Sequence, residues 1–216
     1  MWKTIFYTMF IGMIMSNSAM ASEIHDAVKR NDIRSVQHLI NDKKHKIDER
    51  DHNGRSPLLI ATHLNHIEIA KFLIDSGADV NLKDNIQDSA YLYAGAQGRL
   101  EILKYTIKNG ADLKSTNRFG GTTLIPAAEK GHLETVKYLL TTSVDINHVN
   151  NLGWTALMEA VVLSDGGVVH QNIISELIKA KADVNIPDSN GVTALTHAKK
   201  RNFKEIVKLL ENVNAK

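Results

Sequence analysis

The feature that most constrains the fold is a short sequence pattern that recurs along the chain at a fixed interval. It reads GRSPLLIA at 54–61, QDSAYLYA at 87–94, GGTTLIPA at 120–127, GWTALMEA at 153–160 and GVTALTHA at 191–198. The final alanines of the first four copies are equally spaced, at Ala61, Ala94, Ala127 and Ala160, and the fifth, Ala198, follows after a longer interval. A second pattern keeps the same register, as SGADVN at 76–81, NGADLK at 109–114, SVDIN at 143–147 and KADVN at 181–185. A period of this length predicts an array of stacked structural units.

The residues within each repeat predict two short helices. A hydroxyl side chain stands before the first helix in every copy, at Ser56, Ser89, Thr122, Thr155 and Thr193. Such a side chain can accept a hydrogen bond from the first turn of a helix. The second helix has apolar residues at helical spacing, such as Leu133 and Val136, and ends at a glycine such as Gly77. One helix pair cannot bury its own apolar face, so we expect an all-α solenoid of helix-turn-helix units with projecting turns or short β-hairpins.

The two patterns resemble the ankyrin repeat, whose unit has the same period and carries a T-P-L-H-x-A box. The resemblance covers essentially all of residues 22–216 and implies a single domain. Its six units fall at 22–50, 51–83, 84–116, 117–149, 150–187 and 188–216. The histidine of the box is absent, because its position holds Leu59, Leu92, Ile125, Met158 and Thr196.

The segment 1–21 is typical of a cleavable signal peptide. Lys3 precedes an apolar run from Ile5 to Met15, which is too short to span a bilayer, and Ala19 and Ala21 are the small residues of a cleavage site. We therefore expect cleavage after Ala21 and an exported protein, periplasmic or secreted, with no membrane insertion after cleavage.

The composition argues against several classes of function. The formal net charge is +2, and the predicted signal peptide holds one of the basic residues and no acidic one. Nearly balanced charge gives no electrostatic support for binding nucleic acid or a membrane surface. The chain has no cysteine, so neither a disulfide nor a lipid attachment is expected. We expect a monomer without a cofactor.

The ten histidines are the feature that most suggests metal binding. His63 and His66 are spaced as H-x-x-H, but His66, His132 and His170 share one position of the repeat. The sequence offers no third ligand at matching spacing and no glycine-rich phosphate loop. We expect neither a metal site nor an enzyme, and a metal-dependent hydrolase built on the histidines is an alternative.

A row of apolar residues in the projecting turns is the candidate binding site. The turn position that normally varies reads Asn53, Ile86, Phe119, Leu152 and Asn190, so three apolar residues fall in consecutive central units. Trp154 extends this row toward the concave face, and tryptophan is enriched in binding hot spots. The other candidates are Asn85, Arg118 and Asn151 in the turns and Asp165 in a five-residue excess of unit 5. Two alternatives stay open: Trp154 packs within the chain, and the segment around Asp165 is a tolerated surface insertion.

The resemblance implies that the concave face and the turn tips bind another protein. We therefore expect an exported, non-catalytic protein that acts by stoichiometric binding. Its similarity to small exported bacterial ankyrin-repeat proteins suggests an immunity or a stress-protection role in the periplasm. A secreted effector that acts on host proteins is an alternative.

Overall fold

The computed structural model describes residues 23–43, 45–213 and 215. The predicted signal peptide at 1–21 and the expected new N-terminus at Ser22 lie outside the described residues. The described residues form twelve α-helices: α1 at 23–29, α2 Ile33–Asn41, α3 Pro57–His63, α4 Ile67–Asp75, α5 Ala90–Ala96, α6 Leu100–Lys108, α7 Leu124–Glu129, α8 Leu133–Leu139, α9 Ala156–Val162, α10 Val168–Lys179, α11 Ala194–Lys200 and α12 Lys204–Glu211.

The helices form two layers. Each of the six predicted segments contains two helices, from α1 and α2 in unit 1 to α11 and α12 in unit 6. The first helices pack side by side, α3 on α5, α5 on α7, α7 on α9 and α9 on α11. In the layer of second helices, α2 packs on α4, α4 on α6, α8 on α10 and α10 on α12. This is the all-α stack that the repeat predicts.

The segments that project between units are turns rather than β-hairpins. In unit 3 the Asp84 N–H donates to the Asp88 carbonyl over 2.9 Å, and the Gln87 N–H donates to the Asp84 carbonyl over 3.1 Å. The same pair of bonds closes the other turns. No strand occurs among the residues that the structure describes, so of the two predicted forms only the turn is present.

Four of the five predicted helix caps are present. The side-chain oxygens of Ser56, Ser89, Thr155 and Thr193 accept hydrogen bonds from the N–H three residues ahead, over 3.1, 3.2, 3.2 and 3.4 Å. These bonds satisfy one of the donors that the first turn of a helix leaves unpaired. The hydroxyl residue of each repeat therefore fixes where its helix begins.

The predicted cap at Thr122 is absent, because Pro126 changes the first turn of α7. In the other units the residue four positions after the cap donates its N–H to the cap carbonyl, as Ile60 does to Ser56. Pro126 has no N–H to donate, and the Ile125 N–H donates to the Thr122 carbonyl instead over 3.1 Å. This bond uses the N–H that the Thr122 hydroxyl would have accepted, and the hydroxyl is buried without a hydrogen-bond partner.

Repeated alanines and histidines hold neighbouring units together. The box alanines are completely buried, at Ala61, Ala94, Ala127, Ala160 and Ala198, where a small side chain allows close helix packing. At the start of α4, His66 Nδ1 donates to the Val28 carbonyl over 2.9 Å, and at α10 His170 Nε2 donates to the Glu129 carbonyl over 2.9 Å. These histidines link one unit to the one before it. Within the described residues, no group of three or more histidine, aspartate or glutamate side chains is placed to hold a metal ion.

None of the described helices is both long enough and apolar enough to cross a membrane.

Candidate functional site

One face of the stack consists of the turns and the first helices, and we call it the inner face. Its turns lie at 51–55, 84–88, 117–121, 150–154 and 188–192. The side chain of the first turn residue accepts the N–H groups of the third and the fifth, as Asn117 Oδ1 does from Phe119 and Gly121 over 2.9 and 3.1 Å. Because the first residue holds the backbone in this way, the side chain of the third residue lies outside the turn.

The third turn residue is apolar and exposed in the three central units. Ile86, Phe119 and Leu152 are 50%, 52% and 52% exposed. Half of each side chain therefore faces water, and covering these side chains with a partner would be favourable.

Phe119 and Leu152 line a cavity between units 4 and 5, which we call the unit 4–5 cavity. Its volume is about 170 Å³. The other lining residues come from the turns, from α7, from α9 and from the residue just after α9. They are Asn117, Gly121, Ile125, Pro126, Glu129, Asn150, Glu159 and Leu163. The cavity thus joins exposed apolar side chains to two carboxyl groups.

A second cavity, the unit 3–4 cavity, lies beside the first and has a volume of about 260 Å³. Phe119 and Glu129 line both cavities, and the charged residues found only in this one are Asp88, Arg118 and Lys130. Burial and the charge of Asp84 raise the pKa of Asp88, while Arg118 and Lys130 act in the opposite direction. The lining of this cavity therefore contains both acidic and basic side chains, so that Arg118 and Lys130 offset the negative charge of its acids. Ile86 lines neither cavity.

Glu159 is a buried acid in the wall of the unit 4–5 cavity. It is 5% exposed, and its Oε1 accepts a hydrogen bond from Asn150 Nδ2 over 2.7 Å. Burial, with a smaller contribution from the charge of Glu129, raises the pKa of Glu159 from 4.5 to about 7. Among the described residues, no basic side chain forms an ion pair with Glu129 or Glu159 within 4.0 Å.

Trp154 closes its turn and packs inward. Its N–H donates to Asn150 Oδ1 over 3.0 Å, and its carbonyl accepts from the Asn150 N–H over 3.0 Å. The indole is partly buried and packs against the hydrophobic core, and it lines neither cavity of the inner face. Trp154 therefore contributes to packing within the chain, which is one of the two alternatives that the sequence left open. Its predicted role in partner binding stays a prediction.

Asn85 and Asn151 link neighbouring turns. The Asn85 N–H donates to the Asn53 carbonyl over 3.1 Å, and the Asn151 N–H donates to the Phe119 carbonyl over 3.0 Å. The Asn151 side chain also lies against Gly120, where an added Cβ would come within 2.3 Å of its Oδ1. Both asparagines are exposed at the turn tips, but their backbones are held by the preceding turn.

Arg118 occupies the same turn position in unit 4 and behaves differently. No backbone hydrogen bond joins it to Ile86 in the turn before. Its guanidinium carbon lies 4.6 Å from the centroid of the Phe119 ring, and the side chain is exposed. Arg118 and Phe119 therefore present a charge and an aromatic ring together on the inner face.

The loop around Asp165 is fastened to unit 6. The Asp165 side chain is 85% exposed, whereas Ser164 is buried. Arg201 donates from Nη1 to the Val162 carbonyl over 2.7 Å and from Nη2 to the Ser164 carbonyl over 2.6 Å. Unit 5 also has a longer second helix, since α10 has 12 residues and α4 has 9. The extra residues thus extend a helix and dock on the next unit, and Asp165 lines neither cavity of the inner face.

The two glutamates of the unit 4–5 cavity were not among the site residues predicted from the sequence. Glu159 lies in the apolar stretch LMEAVV, at a box position where the other units have Ile60, Tyr93, Pro126 and His197. An acid inside an apolar helix was the available signal, because such a residue is seldom buried without a partner. Nothing in the local sequence places Glu129 beside it, since that residue belongs to the preceding unit.

Comparison with known proteins identifies the family. The family profile described as ankyrin repeats in three copies matches residues 24–117 and 91–186. These overlapping matches cover well over half of the chain, and together with the fold and the box pattern they show that the chain belongs to the ankyrin-repeat family.

Two similar solved structures are of bacterial ankyrin-repeat proteins. An ankyrin repeat domain from Acinetobacter baumannii AYE is 54% identical, with a TM-score of 0.86 over 89% of this chain and 98% of that one. The ankyrin repeat protein EF0377 is 45% identical, with a TM-score of 0.86 over 91% and 98% of the two chains. Inversin of Homo sapiens is 32% identical over 78 residues, which are 36% of this chain and 7% of inversin. The chain therefore spans only a small part of the length of this curated relative.

Proposed function

We propose that this chain is a non-catalytic ankyrin-repeat protein that binds a protein partner through its inner face, outside the bacterial cytoplasm. The predicted signal peptide supports export, with the periplasm as the compartment of a Gram-negative cell. Its family membership and its bacterial neighbours, which are ankyrin-repeat proteins or domains, support stoichiometric binding. Immunity and stress protection are the two roles that fit such a protein.

One observation carries the proposal: exposed apolar side chains stand in consecutive turns next to cavities. Phe119 and Leu152 are each half exposed, and both line the unit 4–5 cavity. Arg118 extends this surface across the Phe119 ring. Aromatic and arginine side chains beside pockets are typical of the centre of a protein interface.

Site-specific photo-crosslinking in cells that produce the full chain tests the proposal. A photoreactive amino acid would replace Phe119 in one variant and Leu152 in another. Val168, which is 68% exposed on α10, provides a matched exposed apolar control away from the inner face. We expect the two inner-face variants to crosslink to the same protein in the periplasmic fraction. The chain recovered from that fraction should have the mass of a protein that begins at Ser22.

Different failures contradict different parts of the proposal. Equal crosslinking from position 168 would mean that the inner face is not the binding surface. A full-length chain confined to the cytoplasm would contradict export and the periplasmic roles. An uncleaved chain found inside host cells would favour the host-directed effector.

A further inference from the structure

The unit 4–5 cavity differs from the neighbouring cavity in being lined by two carboxyl groups and by no basic side chain. The carboxyls of Glu129 and Glu159 line it, and no basic residue does. The unit 3–4 cavity instead contains Arg118 and Lys130 beside its acids. A ligand that enters the unit 4–5 cavity therefore meets the Glu159 carboxylate, with which no described basic side chain forms an ion pair.

Glu159 has a carboxylate oxygen available for such a ligand. Its Oε1 accepts the Asn150 amide over 2.7 Å, and its Oε2 has no hydrogen-bond partner among the described residues. The residue is 5% exposed, so water solvates this carboxylate poorly. A cation that donates a hydrogen bond to Oε2 would replace the missing solvation.

Unit 6 shows how a buried carboxyl is paired when a histidine replaces Glu159. His197 corresponds to Glu159 and Asp188 to Asn150, and His197 Nε2 lies 2.8 Å from Asp188 Oδ2. Hydrogen bonds from the Val192 N–H and from His197 lower the pKa of Asp188, whereas the pKa of Glu159 is raised. Unit 6 thus supplies a hydrogen-bond donor from a histidine for its buried carboxylate, whereas in unit 5 the Asn150 amide is the only described donor to Glu159.

The apolar lining restricts what kind of cation fits. Phe119, Leu152 and Leu163 are 52%, 52% and 49% exposed, and all three line the cavity. Lysine and arginine bury an apolar stem along such surfaces while the charged end reaches a polar group. Two carboxylates disfavour any anion.

We infer that the unit 4–5 cavity receives a lysine or arginine side chain of the partner protein, with the charged group on Glu159 and the stem against Phe119 and Leu152. The inference rests on the proposed function, since it names the chemistry by which the inner face recognises its partner. An apolar residue next to that cation on the partner would cover Leu163.

A peptide pair tests the inference without knowledge of the partner. The probes are acetyl-Leu-Lys-Leu-amide and the same peptide with norleucine in place of lysine, which keeps the apolar stem and removes the charge. The full domain is titrated by NMR at a pH of about 8, where an acid with a pKa of about 7 is mostly ionised. Peptide concentrations up to roughly 10 mM cover dissociation constants in the millimolar range. The reporters are the Gly121 N–H and the Asn150 side-chain amide, both of which line the cavity.

We expect the lysine peptide to shift both reporters and to bind roughly ten-fold or more tightly than the norleucine peptide, as a charge-assisted hydrogen bond requires. Glu159→Gln should remove most of this preference, because its carbonyl still accepts the Asn150 amide but carries no charge. Glu134→Gln is the matched control. Glu134 lies on α8, its side chain is 69% exposed and it pairs with Lys137, so binding should stay as in the unmodified chain.

Three results with the peptide pair would overturn the inference. These are equal binding of the two peptides, an unchanged preference in Glu159→Gln, and no shift at either reporter. Putrescine binding as tightly as the lysine peptide would also overturn it, since the site would then recognise a free amine rather than a protein segment. If the peptides fail while crosslinks persist at positions 119 and 152, protein binding stands and only the cation pocket is wrong.

Discussion

At the scale of single residues, Glu159 places an ionisable carboxyl at a repeat position where units 2 to 4 have an uncharged residue. The equivalent residues Ile60 and Tyr93 have no side-chain charge, and a proline stands there in unit 4. Glu159 is nearly as buried as its apolar neighbours, and one hydrogen bond from Asn150 is the only one that its carboxyl accepts within the described chain. An ionised carboxylate in this place costs free energy, because burial removes its hydration.

The raised pKa makes the stability of the domain depend on pH. In the folded chain the pKa of Glu159 is about 7 and its ordinary value is 4.5, so the folded state binds the proton more tightly than the unfolded state does. Protonated Glu159 therefore stabilises the folded state, and this stabilisation is fully present below a pH of about 4.5 and is lost as the pH rises through 7. We expect Glu159→Gln to raise the free energy of unfolding by about 1–3 kcal/mol at a pH near 8, and to have little effect at a pH near 4.

Urea unfolding of the unmodified chain and of Glu159→Gln across this pH range measures the difference in their free energies of unfolding. Glu134→Gln again serves as the control, because its carboxylate is exposed and its replacement should leave the pH dependence unchanged. A Glu159→Gln chain whose stability runs parallel to that of the unmodified chain at every pH would show that Glu159 titrates as an ordinary carboxyl.

At the scale of elements, the loop between α9 and α10 depends on the next unit. Arg201 donates hydrogen bonds to the carbonyls of Val162, the last residue of α9, and of Ser164 in the loop. An added Cβ on Gly166 would come within 2.5 Å of the Phe203 ring. Gly166 has a φ of 75°, a conformation that glycine adopts without strain. The loop is therefore shaped by contacts from unit 6 as well as by its own residues.

Arg201→Ala should loosen this loop while leaving the helices in place. The variant loses two charge-assisted hydrogen bonds from an exposed side chain, which we expect to cost about 1 kcal/mol. Hydrogen exchange should accelerate at the Gly166 and Gly167 N–H groups, which are held by Ser164 and Asp165 side chains. Lys200→Ala, at an exposed neighbour, should change neither quantity. Unaltered exchange in Arg201→Ala would mean that the loop holds its shape by itself.

At the scale of the whole molecule, the junction between units 3 and 4 lacks several contacts that other junctions have. A side-chain oxygen of one unit accepts an aspartate N–H of the next at three other junctions, from Asp79 to Asp48, from Asp112 to Asn81 and from Asp183 to Asn147. Unit 3 has Lys114 at the accepting position, and lysine has no acceptor. At the same junction, the Arg118 N–H does not form the hydrogen bond to the preceding turn that the Asn85 and Asn151 N–H groups form. In addition, α6 and α8 pack less closely than the other neighbouring second helices.

Because the stability of a repeat stack is a sum of unit and junction contributions, a weak junction favours unfolding in two steps. We expect units 1–3 and units 4–6 to unfold separately in urea. Lys114→Asn provides an acceptor for the Asp145 N–H and should stabilise the junction by about 0.5–1.5 kcal/mol, which brings the two steps together. Lys46→Asn, in an exposed loop of unit 1, is the control. A single transition in the unmodified chain, with no gain from Lys114→Asn, would contradict this view of the junction.

The sequence by itself determined the features that depend on contacts between near neighbours in the chain. The period placed the helix pairs, and the caps at Ser56, Ser89, Thr155 and Thr193 formed as predicted because each joins residues only three apart. The exception at Thr122 is also local, since Pro126 lies four residues away. The exposure of Phe119 and Leu152 follows from turn geometry that is encoded within five residues.

Only the tertiary structure decided which distant residues meet. Glu129 and Glu159 belong to different units and share a cavity only because α7 and α9 stack. The inward packing of Trp154 and the hold of Arg201 on the loop before α10 also depend on contacts outside their own turns. A repeat pattern fixes the order and spacing of its units, but side chains from adjacent units come together through the rotation and approach of the stacked helices. That is why the fold could be predicted from the chain, whereas the acidic cavity appeared only in the assembled stack.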